Sequence, residues 1–194
     1  MPGYTAPGKN AMLNALTAVI THVGLFFEGT PITGVTGVAS TDILTKASHG
    51  LVNGDLVILS ALVGGTGLIA GDPYYVIGVS GSNFQLSRSS GGAAVDFTVD
   101  VTSVTVTKLT EVSGGSPAYA RKAIAFNAAG DGTVDDSTNG AVFDVPGSLT
   151  VSYVGYFSAI TAGTLYAIGD IANESYAGQG NYTLTDADLD LNNS

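Results

Sequence analysis

Apolar residues near the start of the chain recur at intervals of three and four, the spacing of one face of a helix. Pro7 stands where a helix can begin, and Gly24 stands where one can end. The pattern predicts an amphipathic helix over residues 9–23. A helix this short is marginal alone, so its apolar face needs a partner surface. The apolar positions are Met12, Leu13, Leu16, Val19, Ile20 and Val23.

The pattern then changes to that of strands. The run Val-Gly-Leu-Phe-Phe at residues 23–27 predicts a buried strand, and residues 31–108 become β-branched and punctuated by glycine. Asn53-Gly54 is a strong turn signal. Short strands at this spacing are typical of a small barrel or sandwich. The strands predicted after residue 31 are 42–46, 55–59, 74–79, 83–87 and 99–108.

The last of these strands contains a change of phase. Val99 and Val101 alternate with polar residues, and Val104 and Val106 alternate one step out of register with them. A bulge at Thr102-Ser103 would return both pairs to one face.

Residues 109–194 are β-rich again, with glycine-rich loops between short strands. At residues 186–191 aspartates alternate with alanine and leucine, which predicts a strand whose acidic outer face guards a sheet edge. About six short strands and one helix favour a sandwich. The predicted strands are 120–127, 141–145, 150–158, 164–170 and 182–184.

The helix needs a partner, and the strand at residues 23–27 is too apolar to end a domain. We therefore predict that residues 1–30 and 109–194 form one discontinuous domain, with residues 31–108 inserted as a second. The expected fold is mainly β: a β-sandwich with one N-terminal helix, plus an inserted small β-barrel or sandwich.

The low charged fraction and the negative net charge of the chain make some classes of function less favourable. Only 11% of the residues are charged, against about 25% in typical proteins. The formal net charge of −10 opposes binding to nucleic-acid phosphates and to anionic membranes, and no apolar run approaches the roughly 18 residues of a membrane helix. With so few charges, much of the surface must be Gly, Ser, Thr and Asn, which suits a rigid shell or fibre that packs against copies of itself. The absence of cysteine excludes disulfides and Cys-ligated zinc.

Two stretches carry a resemblance. Residues 8–29 joined to 111–126 contain an opening helix, an apolar V-x-L strand and the motif E-V-x-G-G-x-Y-A-R, with Pro117-Ala118 as an extra insertion before Tyr119. This pattern, together with later matches, resembles a small family common in tailed-phage genomes, usually labelled tail-fibre or minor tail proteins. The later matches are at 142–146, 151–158, 163–170 and 182–191.

The insert resembles a second phage module, one that recurs within different tail and fibre proteins. Its motif H-G-L-x-x-G-D-x-V lies at residues 49–57, followed by Y-Y-V at 74–76, F-x-L-S at 84–87 and G-G-x-x-x-D-F at 91–97. Neither resemblance implies a catalytic residue.

Several patterns mimic catalytic or ligand sites. The segment from Gly3 to Asn10 matches a phosphate-binding loop, but Asn10 replaces the hydroxyl residue that would hold Mg²⁺, and almost no chain precedes it to form the required strand. His22, expected beside the apolar face at the helix end, and His49, expected to make a hydrogen bond inside a turn, are the only histidines. We expect no enzymatic activity and no cofactor.

Oxygen-rich side chains cluster between residues 131 and 139. Asp131, Asp135, Asp136 and Asn139 are candidate ligands for a cation such as Ca²⁺, although they lack the order of an EF-hand. A solvated turn between strands explains the same residues. Asp131 and Asp144 could also be imagined as a carboxylate pair for glycoside cleavage, but nothing specifies their separation.

Exposed apolar and aromatic side chains are candidates for an interface. We select Met12 and Leu16 on the helix, and Tyr153 and Tyr156 on a predicted strand. Tyr74, Tyr75, Phe157 and Tyr166 extend the aromatic set. Ordinary alternation in a sandwich strand explains such aromatics as well, and is the preferred interpretation.

Composition and resemblance together predict a non-enzymatic structural protein on the exterior of a tailed-phage virion, assembled in the host cytoplasm. Its expected partners are copies of itself, as a homotrimer or other homo-oligomer, and virion proteins such as the major capsid or tail proteins. Capsid decoration and a tail fibre or minor tail component remain alternatives. A carbohydrate-binding module that recognises a host-surface glycan is the alternative function.

Overall fold

The computed structural model describes residues 4–137, 140–185 and 187–190. These residues divide into two compact units, one within Met1–Phe27 and Glu111–Ser194, the other within Glu28–Thr110. One helix and fourteen strands are described: α1 Ala6–Thr17, β1 His22–Glu28, β2 Ile32–Val38, β3 Ile43–Thr45, β4 Leu56–Gly64, β5 Pro73–Ser80, β6 Asn83–Ser87, β7 Val101–Glu111, β8 Lys122–Ala123, β9 Thr133–Val134, β10 Ala141–Val145, β11 Leu149–Phe157, β12 Leu165–Tyr176, β13 Gly180–Leu184 and β14 Leu189–Asp190.

The discontinuous unit is a sandwich. In one layer β1 pairs with β11, β11 with β12, and the short β8 with β1, all antiparallel. In the other, β10 pairs with β13, while β9 and β14 form a separate short pair. The sequence forms these layers because apolar residues alternate inward from both. The buried core contains Val23, Leu25, Phe143, Val145, Val151, Val154, Tyr156, Tyr182 and Leu184, among others.

The predicted helix has different bounds from the observed one. The observed helix begins at Ala6, with Pro7 in its first turn, and ends at Thr17, whereas the predicted helix ended at residue 23. The N–H of Thr21 donates to the carbonyl of Phe157 at 2.9 Å, so the sheet takes the backbone that a longer helix would need. Val23 follows in β1, where it is fully buried, and Leu13 is the fully buried residue of the helix.

The inserted unit is a closed barrel. Its six strands pair antiparallel in the order β2, β3, β6, β5, β4 and β7, and β7 pairs back with β2. Closure removes the free edges that a small open sheet would expose. Its core contains Val35, Leu44, Leu59, Tyr74, Val76, Phe84, Phe97, Val101, Val104 and Val106, among others. The mainly-β fold with one helix is therefore confirmed.

The predicted bulge in β7 is confirmed. Val104 pairs with Val35 and Val101 with Gly37, so β7 carries one residue more than β2 between these pairs. Val101, Val104 and Val106 are all buried, as the bulge requires. Val99 was wrongly placed on that face: it precedes β7 and is 49% exposed.

Other predicted bounds were wrong in detail. Strand β2 was missed because Gly34 and Gly37 interrupt its apolar pattern. Gly37 is needed there, since a Cβ would lie 2.6 Å from Leu44 Cδ2. Of the strand predicted at residues 120–127 only Lys122–Ala123 forms, and of the tail strand only Leu189–Asp190; Asp186 and Leu191 lie outside the described residues. Among the described residues, no helix is long and apolar enough to cross a membrane.

Candidate functional site

The motif E-V-x-G-G-x-Y-A-R builds one side-chain cluster in the discontinuous unit. Glu111 ends β7, and Tyr119 and Arg121 stand in the loop before β8. They meet Gly24 of β1 and Phe157 of β11, which adjoin because His22 pairs with Phe157. We call these five residues the Arg121 cluster.

Arg121 makes a two-pronged ion pair with Glu111. Its Nε donates to Oε1 and its Nη2 to Oε2, each at 2.7 Å. The Arg121 side chain is only 10% exposed, so this charge-assisted fork lies largely out of water. Nη1 donates to the carbonyls of Ala159, at 3.0 Å, and Ala162. The guanidinium carbon lies 3.3 Å from the centroid of the Phe157 ring.

Tyr119 fills the space beside this pair. Its phenolic oxygen accepts the N–H of Leu25 at 2.6 Å, and its ring stacks on Phe143 with centroids 5.9 Å apart. Burial raises the pKa of Tyr119 well above its ordinary value; the nearby carboxylate of Glu111 acts in the same direction, whereas the Leu25 N–H and Arg121 oppose it. The phenol therefore stays neutral at physiological pH.

The loop that carries these side chains is fixed by backbone contacts. Gly114 and Gly115 adopt positive φ angles of 81° and 90°, and the N–H of Tyr119 donates to the carbonyl of Gly114 at 2.7 Å. Gln179 clamps the loop from outside: its Oε1 accepts the N–H of Ser116, and its Nε2 donates to the carbonyl of Pro117, both at 2.7 Å. The Pro117-Ala118 insertion is thus part of an ordered loop.

A groove of about 400 Å³ lies over the Arg121 cluster, lined by Glu111, Val112, Tyr119, Arg121 and Ile160 among others. The polar atoms at its base are committed to one another, because both Glu111 oxygens and all three guanidinium nitrogens make hydrogen bonds within the chain. The cluster acts as a packing device that ties β1, β8 and β11 together.

The two histidines lie in different units. His49 is 8% exposed, and its Nδ1 accepts the N–H of Leu51 at 3.0 Å, which confirms the predicted hydrogen bond inside the turn. Its ring lies against Phe84, with centroids 5.0 Å apart. His22 was wrongly placed at the helix end: it begins β1, where Nδ1 lies 2.9 Å from the hydroxyl of Thr21.

The acidic loop contributes hydrogen bonds that connect it to the end of the described chain. Asp136 is 9% exposed and accepts the N–H of Ala187 at 3.2 Å, while its own N–H donates to Asp188. Asp131 and Asp135 are exposed, and Asn139 lies outside the described residues. Across the described ranges, no group of three His, Asp or Glu side chains is placed to hold a metal. Asp144 of β10 accepts a hydrogen bond from Asn181 of β13, its cross-strand partner.

The four candidate interface residues differ in how far their side chains are exposed. Met12 is 45% exposed, and Leu16 is half-buried against the core of the sandwich. Tyr153 is half-buried. Tyr156 is a correction: it is only 3% exposed, because it faces the core, where its ring lies 6.4 Å from that of Phe126.

Among the other aromatic candidates, Tyr74 and Phe157 are buried and Tyr166 is 42% exposed. Sequence reasoning assigned no role to the Glu111–Arg121 pair. The available signal was the rarity of charge: a chain with six basic residues in all places one of them in the same motif as an acidic residue, ten positions after it.

Comparison with known proteins found no match: no family model, no curated protein and no solved structure is similar to this chain.

The Arg121 ion pair should dominate charge-dependent stability. We expect Arg121→Ala to lower the free energy of unfolding by about 3–5 kcal/mol, because it leaves a partly buried carboxylate without its partner. The matched control is Arg88→Ala, since Arg88 pairs with Asp72 at 3.1 Å but both side chains are more than a third exposed. That change should cost about 0–1 kcal/mol. Urea unfolding measures both, and equal losses would refute a special role for Arg121.

Gly24 should tolerate no side chain. A Cβ there would lie 2.9 Å from Glu111 Oε1, 3.0 Å from the Tyr119 hydroxyl and 3.1 Å from Phe157 Cε2. We expect Gly24→Ala to destabilise the unit by about 1–3 kcal/mol through overpacking. Gly130→Ala is the control, because nothing lies within 4 Å of its Cβ position. Thermal unfolding that ranks Gly130→Ala as equally damaging would contradict the tight packing at Gly24.

Proposed function

We propose that this chain is a non-enzymatic structural protein of the exterior of a tailed-phage virion, assembled in the host cytoplasm. It acts through shape and contact, by self-association and by docking onto other virion proteins. Capsid decoration and a tail-fibre or minor tail role are the two placements within this proposal.

The observation that carries the proposal is that the motif side chains make their polar contacts within the chain. The side chains that give the chain its resemblance to phage proteins are Glu111, Tyr119 and Arg121, and all three are occupied in holding strands together. A motif whose polar groups pair with one another preserves a shape. That is the role expected of a building block whose neighbours recognise its surface.

The surface supports the same proposal. Few charges are available to keep copies apart, and several half-exposed apolar residues remain on the barrel, such as Val38, Val63 and Ile69. Virion proteins bury such residues against neighbours in the particle, whereas a freely diffusing protein of this size gains solubility from charge.

The proposal is tested by locating the chain in purified particles of the phage that encodes it. Quantitative mass spectrometry should find it at a fixed ratio to the major capsid protein, which serves as the internal standard. A ratio that follows the capsid lattice would indicate decoration, and a few copies per particle would indicate the tail. A host cytosolic protein controls for contamination. A chain abundant in infected cells yet absent from washed particles would refute a virion role.

A further inference from the structure

The inserted barrel holds one histidine in its interior as a neutral ring. His49 is 8% exposed, its Nδ1 accepts the N–H of Leu51 at 3.0 Å, and its ring lies against Phe84 of β6. A ring nitrogen that accepts a hydrogen bond carries no proton, so the proton of the ring is assigned to Nε2. Among the described residues, Nε2 has no hydrogen-bond partner. The folded turn therefore requires His49 in one neutral tautomer.

The charged residues nearest to His49 in the chain offer no counter-charge to the ring. The carboxylate of Asp55 is engaged elsewhere: its Oδ1 pairs with Nζ of Lys108 at 2.6 Å, and its Oδ2 accepts the N–H of Val52 at 2.9 Å. Lys46, three residues before His49, is itself a cation. Within the described ranges, His49 makes no ion pair with a carboxylate.

The strands beside the ring supply no negative charge either. β6, which carries Phe84, and β3, which pairs with β6, contain no titratable side chain. β5, on the other side of β6, contains Tyr74 and Tyr75, and burial raises the pKa of both, so both stay neutral at physiological pH. A proton added to Nδ1 of His49 would create a buried cation without a partner, which costs free energy.

The turn around His49 has a strained backbone. Ser48 and Gly50, on either side of the histidine, adopt positive φ angles of 54° and 69°. For a serine this conformation is uncommon, and it persists only where the surrounding structure holds it. The bond from Leu51 to Nδ1 spans two residues, as the bond of an Asx turn does, and helps to hold this conformation. Loss of the acceptor would free the segment between β3 and β4 to relax.

We propose that the His49 turn is an acid-sensitive switch in the barrel. A proton taken up by Nδ1 removes the acceptor of the Leu51 N–H and buries an unpaired cation, so the turn opens and exposes the ring to water. An exposed histidine takes up its proton near about pH 6.5. The stability that the neutral ring contributes is therefore complete above that pH and is lost as the pH falls below it.

The switch belongs to the inserted unit. His22, in the discontinuous unit, has its Nδ1 2.9 Å from the hydroxyl of Thr21, in an exposed position. A hydroxyl can donate or accept, so this contact survives protonation of the ring. The proposal adds a regulatory device to the structural role and does not depend on where in the particle the chain resides.

Hydrogen exchange of the full chain, followed by NMR at about pH 7.5 and about pH 5, tests the switch. After correction for the intrinsic exchange rate, the opening constant of the Leu51 amide should rise at least about tenfold at the lower pH, because the open turn binds one more proton. The amides of Leu25 and Val112, in the sandwich, should show no such rise. His49→Asn should abolish the pH response, since its side-chain oxygen can accept the Leu51 N–H without titrating. His22→Asn is the matched control and should respond as the natural chain does.

Three results would overturn the switch. These are an opening constant of Leu51 that is the same at both pH values, an equal rise at the sandwich amides, and a His49→Asn chain that keeps the full response. Should that variant not fold, the nitrogen chemical shifts of the natural His49 ring decide: a neutral ring in the folded barrel at about pH 5 supports the proposal, and an imidazolium there refutes it. None of these results bears on whether the chain is found in particles, so the two proposals fail independently.

Discussion

The Arg121 cluster joins the parts of the chain that lie before and after the insert, because the hydroxyl of Tyr119 accepts the N–H of Leu25 in β1 at 2.6 Å. Arg121 holds Glu111 with two nitrogens and the loop at Ala159–Ala162 with the third, and its face covers Phe157 of β11. The ion pair fits only because Gly24 of β1 leaves room for it. Since β1 precedes the insert and the other members of the cluster follow it, the cluster as a whole connects segments far apart in sequence.

The backbone allows the insertion at small cost. In the sandwich, the N–H of Val112 donates to the carbonyl of Leu25 at 2.9 Å, so the chain leaves and re-enters the unit at adjacent points. In the barrel, the N–H of Gly29 donates to the carbonyl of Lys108 at 2.8 Å, so the ends of the insert are adjacent too. Each unit has its own hydrophobic core, and each therefore supplies its own stabilisation.

Local sequence patterns predicted the features that depend on residues close together in the chain. Alternating valines revealed the bulge of β7, and the position of His49 before glycine revealed its hydrogen bond inside a turn. The predicted helix was too long because Val19, Ile20 and Val23 keep helical spacing. In the structure the backbone from Thr21 onward is hydrogen-bonded to the sheet instead. Tyr156 and the Glu111–Arg121 pair could not be placed from sequence, because their surroundings come from strands distant in the chain.

The sandwich is a complete folding unit assembled from two separated segments. It is tested most directly by replacing residues 28–110 with a short Asn-Gly turn and measuring urea unfolding together with hydrogen exchange at the amides of Leu25 and Val112. We expect a single cooperative transition, with both amides protected to the level of global unfolding, since the Leu25 amide donates to Tyr119 and the Val112 amide donates to Leu25. A shortened chain that unfolds without cooperativity, or in which these amides exchange freely, would contradict it.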